Sequence, residues 1–245
     1  MMKFKKQIMQ ILHVLFRGFR GIISLFYPEC CCVCDEKLIE GEHYFCLDCS
    51  LKMPHTNYHL QVENSAADRF KGKIPYEKVA SFLYYNKGGF SQKVVRAVKY
   101  KGNTALGYHM GHLMSQQIQQ TSSFFEDIDL LIPIPLHRKK QKKRGFNQAE
   151  EIVKGIEKVT DIPFNNNLVI REKQTQTQTK RGRYARWLNT IDIFTLNKEA
   201  DFNCKHVLIV DDVLTTGATA EACAQAILTT YPDVKISILT LAVTE

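Results

Sequence analysis

The stretch His206-Val207-Leu208-Ile209-Val210-Asp211-Asp212-Val213-Leu214-Thr215-Thr216-Gly217-Ala218-Thr219 decides the fold of this chain. His206–Val210 reads as an apolar strand. It ends in two adjacent carboxylates. A small, hydroxyl-rich turn follows, and Thr219 to Thr230 has helical spacing. The turn's amides and the hydroxyls of Thr215, Thr216 and Thr219 can surround a phosphate at the helix N-terminus, where orphan N–H groups and the dipole favour anions. Gly217 and Ala218 keep that turn small, and Gly217 permits close backbone approach. Asp211 and Asp212 cannot hold the same phosphate, because like charges repel. Their natural work is to accept hydrogen bonds from sugar hydroxyls beside it. Phosphate plus vicinal hydroxyls describes a ribose 5-phosphate. A solvated turn with an Asp cap is the competing reading, and the joint occurrence of strand, acid pair, small turn and helix argues against it.

Working outward, strands and helices alternate. Strands are expected at Val79–Tyr85, Asp129–Leu136, Leu168–Arg171, near Phe194 and at Lys235–Val243; helices are expected at Ser91–Val98, Ala105–Gln120 and Asn147–Val159. Alternation of this kind implies an α/β domain with a parallel sheet and helices on both faces. Ligands of such sheets sit beyond the carboxyl ends of the strands. After Asp129–Leu136 comes His137-Arg138-Lys139-Lys140-Gln141-Lys142-Lys143-Arg144, with six positive charges. These could hold a pyrophosphate or a nucleic-acid backbone, or form a solvated basic face. Residues 171–194 are polar, basic and nearly free of aliphatic side chains, so they read as a lid rather than core. Residues 57–78 are polar and irregular, and read as a linker.

Length and composition bound the rest. The chain has 245 residues, 44% of them hydrophobic and 24% charged, which suits one α/β domain with a small appendage. No run of 18 uncharged apolar residues occurs, which excludes a conventional membrane span. The net charge of +8 favours anionic partners without choosing among them. Residues 1–27 carry Lys3, Lys6, Arg17 and Arg20 along one polar stripe of an amphipathic helix. Its apolar face can dock on protein or lie peripherally in a membrane interface.

Six of the eight cysteines fall between Cys30 and Cys49, in one cluster rather than spread along the chain. That placement favours metal in a reducing, cytoplasmic compartment over a disulfide scaffold. Cys31 and Cys34, then an eleven-residue spacer, then Cys46 and Cys49, form two C-x2-C knuckles able to hold Zn²⁺ tetrahedrally. Four thiolates leave no open position, so the site is structural. A register using Cys30, and substitution by His43 or His55, are alternatives. Cys204 and Cys223 read as buried small hydrophobes.

Val207–Thr219 resembles the PRPP-binding motif of type I phosphoribosyltransferases (PRPP is 5-phosphoribosyl 1-pyrophosphate). With Lys99-Tyr100-Lys101-Gly102, Asp129 to His137, Arg144 to Ala149 and the cysteine knuckles after Pro28, the chain resembles the ComF family over about residues 28–245. The resemblance implies a zinc ribbon at 28–56 and a type I phosphoribosyltransferase domain at 79–245, which with the amphipathic helix at 1–27 and the linker at 57–78 complete the expected order. It implies PRPP, or another ribose 5-phosphate ligand, bound by Asp211, Asp212, Thr215, Thr216, Gly217, Ala218 and Thr219. Leu136, His137 and Arg138 would form the pyrophosphate loop. Thr175, Gln178, Arg183, Arg186 and Asn189 would belong to the lid, with Trp187 packing on the domain or stacking on a base. The implied reaction displaces pyrophosphate from ribose C1 with Mg²⁺, and Asp211, Asp212, Arg138 and Arg144 would carry it. The acceptor is not named by any feature. ComF proteins are associated with DNA uptake in natural transformation. The other implied reading is therefore a non-catalytic factor that binds single-stranded DNA or docks on a helicase-like partner or the inner membrane face, its PRPP site residual or regulatory.

Overall fold

The computed structural model describes residues 28–100, 103–171, 194–197, 200 and 202–245. The expected helix at 1–27 and the expected lid residues Thr175, Gln178, Arg183, Arg186, Trp187 and Asn189 lie outside the described residues. The chain divides into two compact units, Met1–Met53 and Pro54–Glu245.

In the first unit the chain turns back on itself at Gly41, whose φ of +95° is easy only for glycine. Cys30 bridges Lys37 in antiparallel sense. The Cys31 N–H donates to the Glu36 carbonyl at 2.8 Å and the Asp35 N–H to the Cys31 carbonyl at 3.0 Å, which closes the first knuckle. Helix α1, Leu47–Leu51, starts at Cys46 and carries Cys49 inward.

The second unit holds the sheet. Its strands are β1 (Lys78–Tyr84), β2 (Leu130–Pro133), β5 (His206–Leu214) and β6 (Lys235–Val243), in the order β1-β6-β5-β2. All three pairings are parallel. β6 is buried on both faces from Ile236 to Val243 and is apolar except for Ser237 and Thr240. β3 (Val169–Arg171) and β4 (Phe194–Leu196) form a separate antiparallel pair. β2 is shorter than expected, because Pro133 and Pro135 offer no N–H to a neighbour.

The helices are α2 (Phe90–Tyr100), α3 (Thr104–Thr121), α4 (Arg138–Arg144), α5 (Gln148–Thr160) and α6 (Ala218–Thr230). α3 buries Leu106, Met110, Met114 and Ile118, the four-residue repeat of one helix face. It packs against α5, which also covers β2 and β5, while α6 lies against β5 and reaches β3 and β4. The α3–α5 contact is close because it is built on glycines. A Cβ on Gly111 would lie 2.0 Å from the Ile152 carbonyl oxygen, and one on Gly155 would lie 2.1 Å from that of Tyr108.

One expectation is corrected here. Residues 57–78 are no linker. His55 and Thr56 already pair with β1, the Thr56 N–H donating to the Phe82 carbonyl at 3.0 Å, so the boundary falls after Met53 rather than after Thr56. Beyond it Asn64, Ala66, Ala67 and Phe70 are buried. The polar composition of 57–78 conceals one apolar turn and one buried asparagine that satisfies it: Asn64 Oδ1 accepts from the Ala66 and Ala67 N–H groups, and Nδ2 donates to the Val79 carbonyl at 2.9 Å. The basic run after β2 holds an element that the sequence reading does not give it. Residues 138–144 are helical, stopped by Gly145 at φ +84°. Their charges mask a good helix-forming composition.

Candidate active site

β5 is longer than its apolar part. It runs through the acid pair to Leu214, held by β6 with Asp211 opposite Thr240 and Val213 opposite Ala242. Period-two alternation sends Asp211 and Asp212 to opposite sides of the strand. Lys99 Nζ, from the last turn of α2, sits 2.7 Å from Asp212 Oδ2, with the two side chains 23% and 13% exposed. Asp211 Oδ1 accepts from the Asp212 N–H at 2.8 Å. Burial pushes the Asp211 carboxyl up to about 7, and the like charge of Asp212 adds to the rise; the charges of Lys99 and Arg171 oppose it.

The turn after β5 has the form the sequence suggested. Thr215 and Thr216 are exposed, and Gly217 at φ +83° caps α6. Thr216 Oγ1 accepts from the Ala218 N–H at 3.4 Å. Ala218 and Thr219 open the helix, so the amides of the first turn face the space beyond the strand.

Cations gather on the other side of the acid pair. Arg171, at the end of β3, stacks its guanidinium 5.3 Å over the Phe194 ring, loses hydration, and is drawn by the charge of Asp211. Loss of hydration lowers the Lys140 pKa, and the charges of Arg171, Arg144 and Lys99 lower it further. Two of these cations, Lys99 and Arg171, also act on Asp211. Arg144 donates to Gln148 Oε1 at 2.8 Å, and the Asn147 side chain donates to the Ile134 carbonyl at 3.0 Å, tying the start of α5 to the end of β2. His137 caps α4, its Nδ1 accepting from the Lys139 N–H at 3.2 Å; Leu136 precedes it and Arg138 opens the helix.

The cysteines of the first unit assemble as the spacing required. The sulfurs of Cys31, Cys34, Cys46 and Cys49 all lie within 4.8 Å of one another, with Cys34 and Cys46 3.6 Å apart. A tetrahedral Zn²⁺ at about 2.3 Å from each sulfur sets the edges at about 3.8 Å, so the group could hold a metal ion of that size. Burial pushes the Cys31 thiol up, but the backbone N–H groups of Cys34, Cys46 and Val33 outweigh it and bring it down to about 7, which favours the thiolate that ligates. Cys30 stands outside this group, its thiol exposed and 3.5 Å from the Pro28 carbonyl, which decides the register in favour of Cys31. His43 and His55 are not in the group either, and His55 lies edge-on to Phe82 at 4.8 Å. Cys223 is fully buried as expected, but Cys204 is only partly buried.

Sequence reasoning left Lys99 and Arg171 out of the site and counted Lys140 only within the basic run 137–144. Lys99 was legible only as part of a four-residue resemblance, and Arg171 as the first residue of a polar segment. Nothing local says that either reaches the acid pair, because each arrives from a different element.

Residues 99–243 match the family described as Phosphoribosyl transferase domain. Over 92 residues the chain is 38% identical to Competence protein F of Haemophilus influenzae, covering 37% of this chain and 40% of that protein. Over 112 residues it is 30% identical to Competence protein ComFC of Bacillus subtilis, covering 46% and 43%. Over 100 residues it is 31% identical to DNA utilization protein YhgH of Escherichia coli K12, covering 41% and 43%. The chain thus spans about two fifths of the length of these curated relatives. Among solved structures, adenine phosphoribosyltransferase from Leishmania donovani is 18% identical with a TM-score of 0.32, covering 69% of this chain and 86% of that one.

Proposed function

The chain belongs to the ComF family of proteins with a phosphoribosyl transferase domain, and from that premise we propose that it binds PRPP with Mg²⁺ and displaces pyrophosphate from ribose C1. The observation that carries this reading is the Lys99–Asp212 ion pair at 2.7 Å, with Lys99 and Arg171 both acting on Asp211, beside a turn shaped for phosphate.

In this reading the 5-phosphate rests on the amides of residues 215–219 and the hydroxyls of Thr215, Thr216 and Thr219. Asp211 and Asp212 accept hydrogen bonds from the ribose hydroxyls and orient the sugar. As the C1–O bond to pyrophosphate breaks and the acceptor bonds to C1, the leaving group gains negative charge. Lys99, Lys140, Arg144 and Arg171 offset it, with Arg138 at the head of the same helix. The carboxylates of Asp211 and Asp212 are hard oxygen donors that would suit Mg²⁺, and the ion would supply positive charge to offset that on the leaving pyrophosphate. The lid role of Thr175, Gln178, Arg183, Arg186 and Asn189 belongs to the same proposal. The four-cysteine group is proposed as a structural Zn²⁺ site. Thermal unfolding tests the reading. PRPP with Mg²⁺ should raise the melting temperature more than ribose 5-phosphate or pyrophosphate alone, since a ligand at 100 times its Kd adds about 2.7 kcal/mol. Equal shifts from pyrophosphate alone would reduce the site to a generic anion site.

A second reading draws on α4 and on the first unit. Lys139, Lys140 and Lys142 are exposed along α4, which suits single-stranded DNA, and the relatives named for competence and DNA utilization give that ligand its context. Ile39, Leu47 and Leu51 are 70%, 65% and 78% exposed, which suits docking on a protein such as a helicase. The two roles can coexist with PRPP binding. A steep fall of DNA affinity with salt would support the first of them. Membrane contact through residues 1–27 lies outside the described residues, and among those described no helix is long and apolar enough to cross a membrane.

A further inference from the structure

The phosphate turn is held from outside the matched domain. Residues 64–73 precede the stretch 99–243, yet three of their side chains meet the turn at its start, middle and end. Arg69 donates through one terminal nitrogen to the Leu214 carbonyl at 3.0 Å and through the other to the Thr244 carbonyl. Leu214 is the last residue of β5, immediately before Thr215, and its carbonyl also accepts the Thr244 N–H at 3.0 Å. Phe70 is fully buried beneath Gly217, where an added Cβ would come within 3.2 Å of its ring. Lys73 Nζ lies 3.6 Å from a carboxylate oxygen of Glu221, in the first turn of α6. Asn64 fixes the bend that presents all three, through its bonds to Ala66, Ala67 and Val79.

We propose that Arg69 is the positioning residue of the phosphate turn, and that residues 64–73 are the brace which gives it one shape before the ligand arrives. A cradle of backbone amides binds phosphate well only if the amides already converge, and the conformational cost of ordering five turn residues otherwise falls on the ligand. The planar guanidinium suits this task because its fork reaches two carbonyls at once, one at the end of β5 and one just past the end of β6; an ammonium is a single point. Arg69 does not touch the ligand. The inference rests on the reading of residues 215–219 as a 5-phosphate cradle, but the brace itself can be measured without ligand.

The test uses the full zinc-loaded chain and three variants: Arg69→Met, Arg69→Lys and, as a control on the same turn, Lys71→Met, whose partners are the exposed Asp68 and Glu63. Hydrogen exchange of the free protein is followed at residues 215–219 and at the buried part of α3. Titration with PRPP and Mg²⁺ is run in parallel. Arg69→Met should speed exchange in 215–219 by about a hundredfold or more, the scale of two lost charge-assisted hydrogen bonds, with α3 unchanged. It should weaken PRPP by about tenfold. Arg69→Lys should restore less than half of either effect, and Lys71→Met should match wild type. Faster exchange with no PRPP binding by wild type keeps the brace and overturns the ligand reading. Unchanged exchange in 215–219, or equal acceleration in α3, overturns the brace. If Arg69→Met does not fold, Lys73→Ala replaces it, with faster exchange expected at 218–221 only; unchanged exchange there overturns the proposal.

Discussion

Lys99 and Asp212 form an ion pair at 2.7 Å that joins the end of α2 to the end of β5. The pair gives one member of the acid pair a cation of its own and leaves Asp211 as the carboxyl that titrates near neutrality, at about 7. The site therefore carries a pH dependence in its geometry. Lys99 favours the ionised form of Asp211, so its removal should raise the Asp211 pKa further. We expect Lys99→Met to move the rise of PRPP affinity to higher pH than in wild type, measured by titration from pH 6 to 9. An unchanged pH profile would separate Lys99 from the acid pair.

Asp211 also links stability to pH. Its pKa rises from 3.8 to about 7 on folding, so the folded state holds a proton that the unfolded state has released. The associated stabilisation is complete below about pH 4 and is lost as pH rises through about 7. Asp211→Asn removes this dependence. The variant should flatten the fall of melting temperature between pH 5 and 8, melt higher than wild type at pH 8, and bind no PRPP. Parallel melting curves for the two proteins would contradict the assignment.

Metal removal should act on one unit. Among the described residues of the first unit only Cys31, Phe45, Cys49 and Met53 are buried, so we expect its order to depend on metal held by the four-sulfur group. Chelation, or Cys49→Ser, should expose residues 28–53 to proteolysis while PRPP still raises the melting temperature of residues 54–245. Loss of both together would mean that the second unit does not stand alone.

The α3–α5 contact predicts a severe packing defect. Gly155→Ala places a methyl group 2.1 Å from the Tyr108 carbonyl oxygen, backbone that cannot swing away. A loss of about 3 kcal/mol or more is expected in urea unfolding, at the upper end for overpacking. Gly88→Ala, at a glycine with φ +74° and nothing within 4 Å, should cost only about 1 kcal/mol of backbone strain.

What the sequence makes legible is what is local. The strand, acid pair and turn of His206–Thr219 are contiguous, so their chemistry can be read from the order of residues, and so can the two cysteine knuckles. The helical state of 138–144 is hidden because charge density dominates the impression of that run, although Lys, Arg and Gln all favour helices. Residues 57–78 mislead for a different reason. Their few apolar side chains, Phe70 above all, are too sparse to show a period, and their role depends on Leu214, Gly217 and Thr244, more than a hundred residues away. The same distance in sequence conceals Lys99 and Arg171.

The measurement that tests the central claim most directly is calorimetric titration of PRPP with Mg²⁺ into the zinc-loaded chain, beside the double variant Asp211→Asn/Asp212→Asn. The account predicts micromolar binding by wild type, about −8 kcal/mol, and none by the variant. Equal binding by both proteins, or none by folded wild type, would contradict it.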